Sequence, residues 1–287
     1  MPPITPSQKA LLTQFMSITG VPERNATKVI CLKVYPTRKN ADGSFLTDAE
    51  DFGMEARASL YFGSNGTAPM AKEKDALSKL FEKYRDPKVD EVDNISVDGT
   101  MSYLADLGIN METAEFLVPL EIVQAPALGE MTKDGFVDGW KNLPGPPDTT
   151  SKQKTYVAGQ IRLMKTDMAL FKRVYRHAFI CSKEKGQKAL PLENALVYWE
   201  MLFGPSGQQW VTSTTNWAEM WLEFLNAKWT KSVNKDMWNQ TFEFFQKTMQ
   251  DETLSFWSED SAWPGVIDDF VAYVKEKWEV PEGMETD

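Results

Sequence analysis

Ser232-Val-Asn-Lys-Asp-Met-Trp-Asn-Gln-Thr-Phe-Glu-Phe-Phe-Gln-Lys-Thr-Met249 and, after a turn, Ser261-Ala-Trp-Pro-Gly-Val-Ile-Asp-Asp-Phe-Val-Ala-Tyr-Val274 decide the fold. Trp238, Phe242, Phe245 and Met249 recur at helical spacing, and Asn234 stands where it can cap their helix. Ile267, Phe270, Val271 and Val274 form a second stripe, with Pro264 suited to a first helical turn, where a missing N–H is no loss. Two helices that bury these stripes leave Asp236, Ala262 and Asp268 outside them. Two carboxylates beside a small residue form the candidate working surface.

Upstream of this pair the helical pattern continues. Trp217, Trp221, Phe224 and Leu225 mark one helix, and Leu192 to Phe203 reads as a buried one. From Ser151 a helical stretch carries Ile161, Leu163, Met164, Leu170, Phe171, Tyr175 and Phe179, and Gly186-Gln187-Lys188 is a turn. Met111 to Gln124 reads as a mostly apolar helix, and Lys72 to Tyr84 as an amphipathic one. No long alternating pattern of strand type occurs, so the class is all-α.

Asp86 to Gly99 is similar to an EF-hand loop. With Ile95 in the eighth position, Lys88 falls first, Asp93 sixth and Gly99 twelfth. A calcium loop needs an oxygen ligand first, Gly sixth and a bidentate Glu twelfth, so no metal is expected. A second loop around Leu128-Gly129-Glu130-Met131-Thr132 fails likewise, with Gln124 first and Gly135 twelfth. The expectation is a paired EF-hand-like fold that has lost calcium.

Residues 7–20 read as a short helix between Ser7 and Gly20, and a second start is expected at Pro22-Glu23-Arg24. This opening resembles a ubiquitin-associated (UBA) module spanning 1–62. An irregular stretch at 30–55 interrupts it, either an insertion or a variant reading of the transcript. Residues 63–71 read as a linker by composition.

The chain of 287 residues carries a net charge of −10, and residues 251–287 hold eleven Asp or Glu against two Lys, a balance of −9. An acidic end on a near-neutral body argues against nucleic acid, which needs a positive surface, and favours a basic protein partner. Ten Trp supply ample apolar area for a core. Cys31 and Cys181 form no disulfide framework. The N-terminus has no signal-peptide core and no stretch is apolar enough for a membrane span, so a soluble protein of the cytoplasm or nucleus is expected.

Five stretches carry a family resemblance: Ile95-Ser-Val-Asp-Gly-Thr100, Gly135-Phe-Val-Asp-Gly-Trp140, Leu192-Glu-Asn-Ala-Leu-Val-Tyr-Trp199, Lys235-Asp-Met-Trp-Asn239 and Ala262-Trp-Pro-Gly-Val-Ile-Asp-Asp-Phe270. The chain resembles the defective-in-cullin-neddylation proteins. Their potentiating-neddylation (PONY) domain would occupy 72–278, followed by an acidic tail at 279–287. The resemblance implies a non-catalytic co-ligase that holds a cullin C-terminal region beside the neddylation conjugating enzyme, while the RING subunit and the charged thioester perform the transfer. It implies a cullin-binding Asp–Ala–Asp patch at Asp236, Ala262 and Asp268. It also implies an apolar pocket for the acetylated N-terminus of the conjugating enzyme, mapping onto Thr100, Phe116, Pro119, Leu128, Gly129, Met131, Cys181, Tyr198 and Met201. The UBA-like module implies ubiquitin or a ubiquitin-like protein as a further partner.

Two rival readings come from other classes. One is a calcium-responsive EF-hand sensor, opposed by the missing twelfth-position acids, or some other helical adaptor. A nucleophilic enzyme using Cys181 is opposed by the apolar run Ala178-Phe179-Ile180 beside it, which disfavours a thiolate. His177 is the only histidine, so triads and metal sites that rely on His are thin. No catalytic residue and no cofactor are expected.

Overall fold

The computed structural model describes residues 67–184 and 186–279. The expected UBA-like module of 1–62 with its 30–55 interruption, and all but the first residue of the expected tail, lie outside the described residues. In chain order the elements are α1 (Thr67–Tyr84), β1 (Asn94–Ile95), α2 (Val97–Leu107), a 3-10 turn (Ala114–Phe116), α3 (Leu117–Ile122), β2 (Met131–Thr132), α4 (Lys133–Lys141) and α5 (Thr150–Met164). Then come α6 (Met168–Ser182), β3 (Ala189–Leu190), α7 (Leu192–Leu202), α8 (Trp217–Lys228), β4 (Val233–Asn234), α9 (Lys235–Gln250) and α10 (Gly265–Glu279). The fold is all-α, with strands only two residues long.

Several boundaries differ from the sequence reading, each for a local reason. Helix α1 starts at Thr67, inside the expected 63–71 linker. Pro69 causes no break because the first helical turn has no use for its N–H. The Met111–Gln124 helix is instead a 3-10 turn followed by six residues of α3. Pro119 cannot donate to Glu115, so no α-helical ladder runs through that point, and Gln124 ends the segment at φ +48°. The stretch after Ser151 is two helices. Asp167 caps the second, its Oδ1 accepting from the Ala169 and Leu170 N–H groups at 2.9 and 3.0 Å. Pro264 precedes α10 rather than opening it, and its carbonyl accepts from the Ile267 N–H at 2.7 Å. Met249, expected in the core stripe, is 40% exposed.

The loops between helices are tied in pairs. β1 and β2 are antiparallel, with Asn94 opposite Thr132 and Ile95 opposite Met131. A second pair, β3 with β4, sets Ala189 opposite Asn234 and Leu190 opposite Val233. The first pair was expected from the loop pattern; the second was not. In the first loop the Asp90 carboxylate accepts from the Asp86 N–H at 2.8 Å and from the Ser96 N–H at 3.1 Å. The Ser96 side chain foremost, and these two backbone bonds after it, lower the Asp90 carboxyl from its ordinary value. Helix α2 passes so close to the end of α1 that a Cβ at Gly99 would overlap the Tyr84 carbonyl oxygen.

Below the loops lies one aromatic core. Trp199 and Trp238 stack with centroids 5.0 Å apart and rings 14° from parallel. Trp210, Trp217 and Trp221 are fully buried, and Phe270 meets Trp221 edge-on at 4.9 Å. Ile267, Phe270, Val271 and Val274 are all inaccessible, as their spacing demands. Burial of this kind is worth about 1.5–3 kcal/mol per large side chain, which makes α9 and α10 fixed parts of the body.

Candidate functional site

Helix α9 opens at a cap: the Asn234 Oδ1 accepts from the Met237 N–H at 2.8 Å. With Met237 and Trp238 buried, the next position on the turn, Asp236, is exposed. A groove of about 380 Å³ runs from there to the start of α10. Trp229, Met237, Pro264 and Val266 give it apolar walls, and Asp236 and Asp269 stand along it with Lys231. An aliphatic stem ending in a cation suits such a lining, since the stem covers apolar surface while the charge meets a carboxylate.

Ala262 is exposed two residues before Pro264. Asp268 is half-buried and engaged elsewhere, its Oδ1 accepting from the Trp257 indole N–H at 3.0 Å. Of the two adjacent acids it is therefore Asp269 that lines the groove, while Asp268 stands beside Trp257. Asp269 and Trp257 were missed from sequence. The Asp268-Asp269 doublet signalled an acidic turn, but only packing shows which acid lines the groove.

The second group of residues gathers around the end of α6. The Leu128 N–H donates to the Cys181 carbonyl at 2.8 Å, joining the β2 loop to that helix. Gly129 sits at φ +74°, where a Cβ would also overlap Val97 of α2. The 3-10 turn with Phe116 reaches α7 through Ser206, whose Oγ accepts from the Ala114 N–H and donates to the Met201 carbonyl. Pro119 is buried in α3; Phe116 and Met201 are half-buried, and Leu128 is 39% exposed. Thr100, Met131, Cys181 and Tyr198 are buried, and the Thr100 hydroxyl has no hydrogen-bond partner. Leu128, Cys181 and Gly129 are thus brought together directly. Met131 is drawn into the interior by its pairing with Ile95.

Burial pushes the Cys181 thiol up to about 12. A thiol so strongly protonated is a poor nucleophile at neutral pH. Burial likewise raises the Tyr198 phenol, with Ser182 beside it acting the other way. Among the described residues no three His, Cys, Asp or Glu side chains are grouped so that they could hold a metal ion, and no helix is long and apolar enough to cross a membrane.

Residues 152–273, which include all of the groove and most of its supporting core, match the protein family described as Cullin binding. The chain is 39% identical to defective in cullin neddylation protein 1 of Pyricularia oryzae, over 99% of both chains. It is 33% identical to the protein of that name from Yarrowia lipolytica, over 69% of this chain and 78% of the relative. A third, from Cryptococcus neoformans, is 30% identical over 96% of each. Likeness of this extent, carried through the helices that build the groove, makes the chain a member of the defective-in-cullin-neddylation family.

Proposed function

We propose that this protein acts in cullin neddylation as a scaffold without catalytic residues of its own. In this reading the C-terminal region of a cullin docks on Asp236, Ala262 and Asp268. The acetylated N-terminus of the neddylation conjugating enzyme enters at Thr100, Phe116, Pro119, Leu128, Gly129, Met131, Cys181, Tyr198 and Met201. The observation that carries it is the groove at the starts of α9 and α10, lined by Asp236 and by Asp269, the chain neighbour of Asp268, with Lys231 the one cation among its lining, in a chain whose relatives are named for cullin neddylation. Exposed carboxylates over an apolar floor suit a basic partner. Exposed Ala262 lets a partner backbone approach closely.

The second site is supported by its chemistry. An acetyl cap removes the charge that would make burial of an N-terminus costly. Val97, Met101 and Leu128 expose apolar surface on the same side of α2 and the β2 loop. Holding two reactants on one body turns a bimolecular transfer into an effectively intramolecular one, which raises the rate without a catalytic side chain. The RING subunit of the cullin ligase completes the assembly, the UBA-like segment would recruit ubiquitin or a ubiquitin-like protein, and the place of action is the cytoplasm and nucleus.

A reconstituted neddylation reaction tests this. Asp236→Ala, Ala262→Arg and Asp268→Ala should each weaken binding to a cullin C-terminal fragment and reduce stimulation of transfer, with helical content unchanged. An unacetylated conjugating enzyme should respond less than the acetylated one. Full cullin affinity in the triple variant would overturn the docking assignment.

A further inference from the structure

Leu254 is held at φ +62°, a region that L side chains seldom adopt, yet its side chain is only 3% exposed. The surrounding bonds explain how the loop keeps this shape. The Asp251 Oδ1 accepts from the Thr253 N–H at 3.0 Å and from the Thr253 hydroxyl at 2.6 Å. Its Oδ2 accepts from the Ser255 N–H at 3.0 Å and the Ser255 hydroxyl at 2.5 Å. Phe256 packs on Phe244 and Trp263, at 5.6 and 6.2 Å between centroids. The Trp257 N–H then donates to the Leu254 carbonyl at 3.0 Å. A short loop is thus pinned at both ends, and Trp257 is what it delivers.

Two polar contacts of the delivered indole fall on α10. Its Nε1 donates to the Asp268 Oδ1 at 3.0 Å, and the Lys275 Nζ lies 4.3 Å from its ring centroid. A cation over the ring face fixes the indole plane. A neutral N–H on one oxygen leaves the carboxylate its charge and most of its acceptor capacity.

We infer that Trp257 is a positioning residue of the docking surface: its indole N–H fixes the Asp268 carboxylate in one orientation, with Oδ2 left for the partner. This rests on the reading of Asp268 as a cullin contact. A carboxylate already fixed loses less freedom when the partner arrives. The loop from Asp251 to Trp257 is therefore part of the site, although only Asp268 meets the partner.

The test is a double-mutant cycle on the full chain, read as affinity for a cullin C-terminal fragment. Trp257→Phe leaves an aromatic face for Lys275 but removes the donor. It should weaken binding roughly 2- to 10-fold, the cost of immobilising one side chain anew, and should add nothing to Asp268→Ala. In the same samples the indole N–H resonance of Trp257 should shift on Asp268→Ala. Wild-type affinity in Trp257→Phe, an equal further loss in the Asp268→Ala background, or an unmoved indole resonance each overturns the inference while leaving the docking reading intact. Unchanged affinity in Asp268→Ala alone removes both.

Discussion

Tyr175 and Trp238 exchange hydrogen bonds in both directions: the Tyr175 hydroxyl donates to the Trp238 carbonyl at 2.8 Å, and the Trp238 indole N–H donates to the Tyr175 carbonyl at 2.9 Å. Their rings stack at 4.7 Å, and the Trp199 indole N–H donates to the same hydroxyl at 2.8 Å. Helix α6, which carries Cys181, is thereby locked to α9, which carries Asp236. The two proposed binding surfaces share one rigid support. Burial raises the Tyr175 phenol well above its usual range, so it stays neutral and keeps its donor.

Tyr175→Phe should therefore be costly for the loss of one oxygen. It leaves the Trp199 indole N–H without an acceptor in a dry core, at about 1–3 kcal/mol. Urea unfolding should show a lower midpoint with an unchanged slope. A wild-type midpoint would mean that the hydroxyl is dispensable.

Cys181 should be silent to thiol reagents in the native protein. In a Cys31→Ser background, modification at pH 8 should be very slow, since a thiol near 12 holds only about one part in ten thousand as thiolate. Unfolding should release the full reaction. Cys181→Ala changes a wall of the proposed N-terminus pocket but removes no nucleophile, so it should still stimulate cullin transfer at saturating conjugating enzyme, at a stability cost of roughly 1–2 kcal/mol for the smaller buried volume. Loss of stimulation in a folded variant that still binds the acetylated N-terminus would restore the nucleophile reading.

Asp251 gives a pH signature. The hydroxyls and N–H groups of Ser255 and Thr253 pull its carboxyl from 3.8 down to about 2. A group depressed by folding contributes stability above its unfolded value and loses it as pH falls through the folded one. The melting-temperature gap between wild type and Asp251→Asn should be constant above about pH 5 and close between pH 4 and 2. A gap that persists at pH 2 would place the effect elsewhere in the loop.

Two glycines should respond with opposite sign to the same substitution. Gly99→Ala puts a methyl group into the Tyr84 carbonyl, which backbone cannot easily yield, at about 1–3 kcal/mol. Gly159, inside α5, has open space where its Cβ would be. Gly159→Ala should stabilise by roughly 0.5–1 kcal/mol. Paired thermal melts check both.

Much of this molecule is legible along the chain because its helices advertise themselves. The stripe Ile267, Phe270, Val271, Val274 and the cap Asn234 need only local spacing to be read. The break at Asp167 is not legible, because apolar residues continue across it with no Gly or Pro to mark it. Nor is the Ala189–Leu190 pairing with Val233–Asn234, since two residues carry no period. Of the proposed docking surface, Asp268 and Asp269 are visible as a doublet. The indole that holds one of them is eleven residues away across a turn, where only three-dimensional packing joins the two.

The first EF-hand-like loop carries a different lesson. Its Asp90 carboxylate is closed on the loop's own Asp86 and Ser96 N–H groups, where a calcium loop would turn its acids toward an ion. This loop's shape is therefore constitutive: chelators should leave it intact, and swings in cellular calcium have no handle on it through that carboxylate.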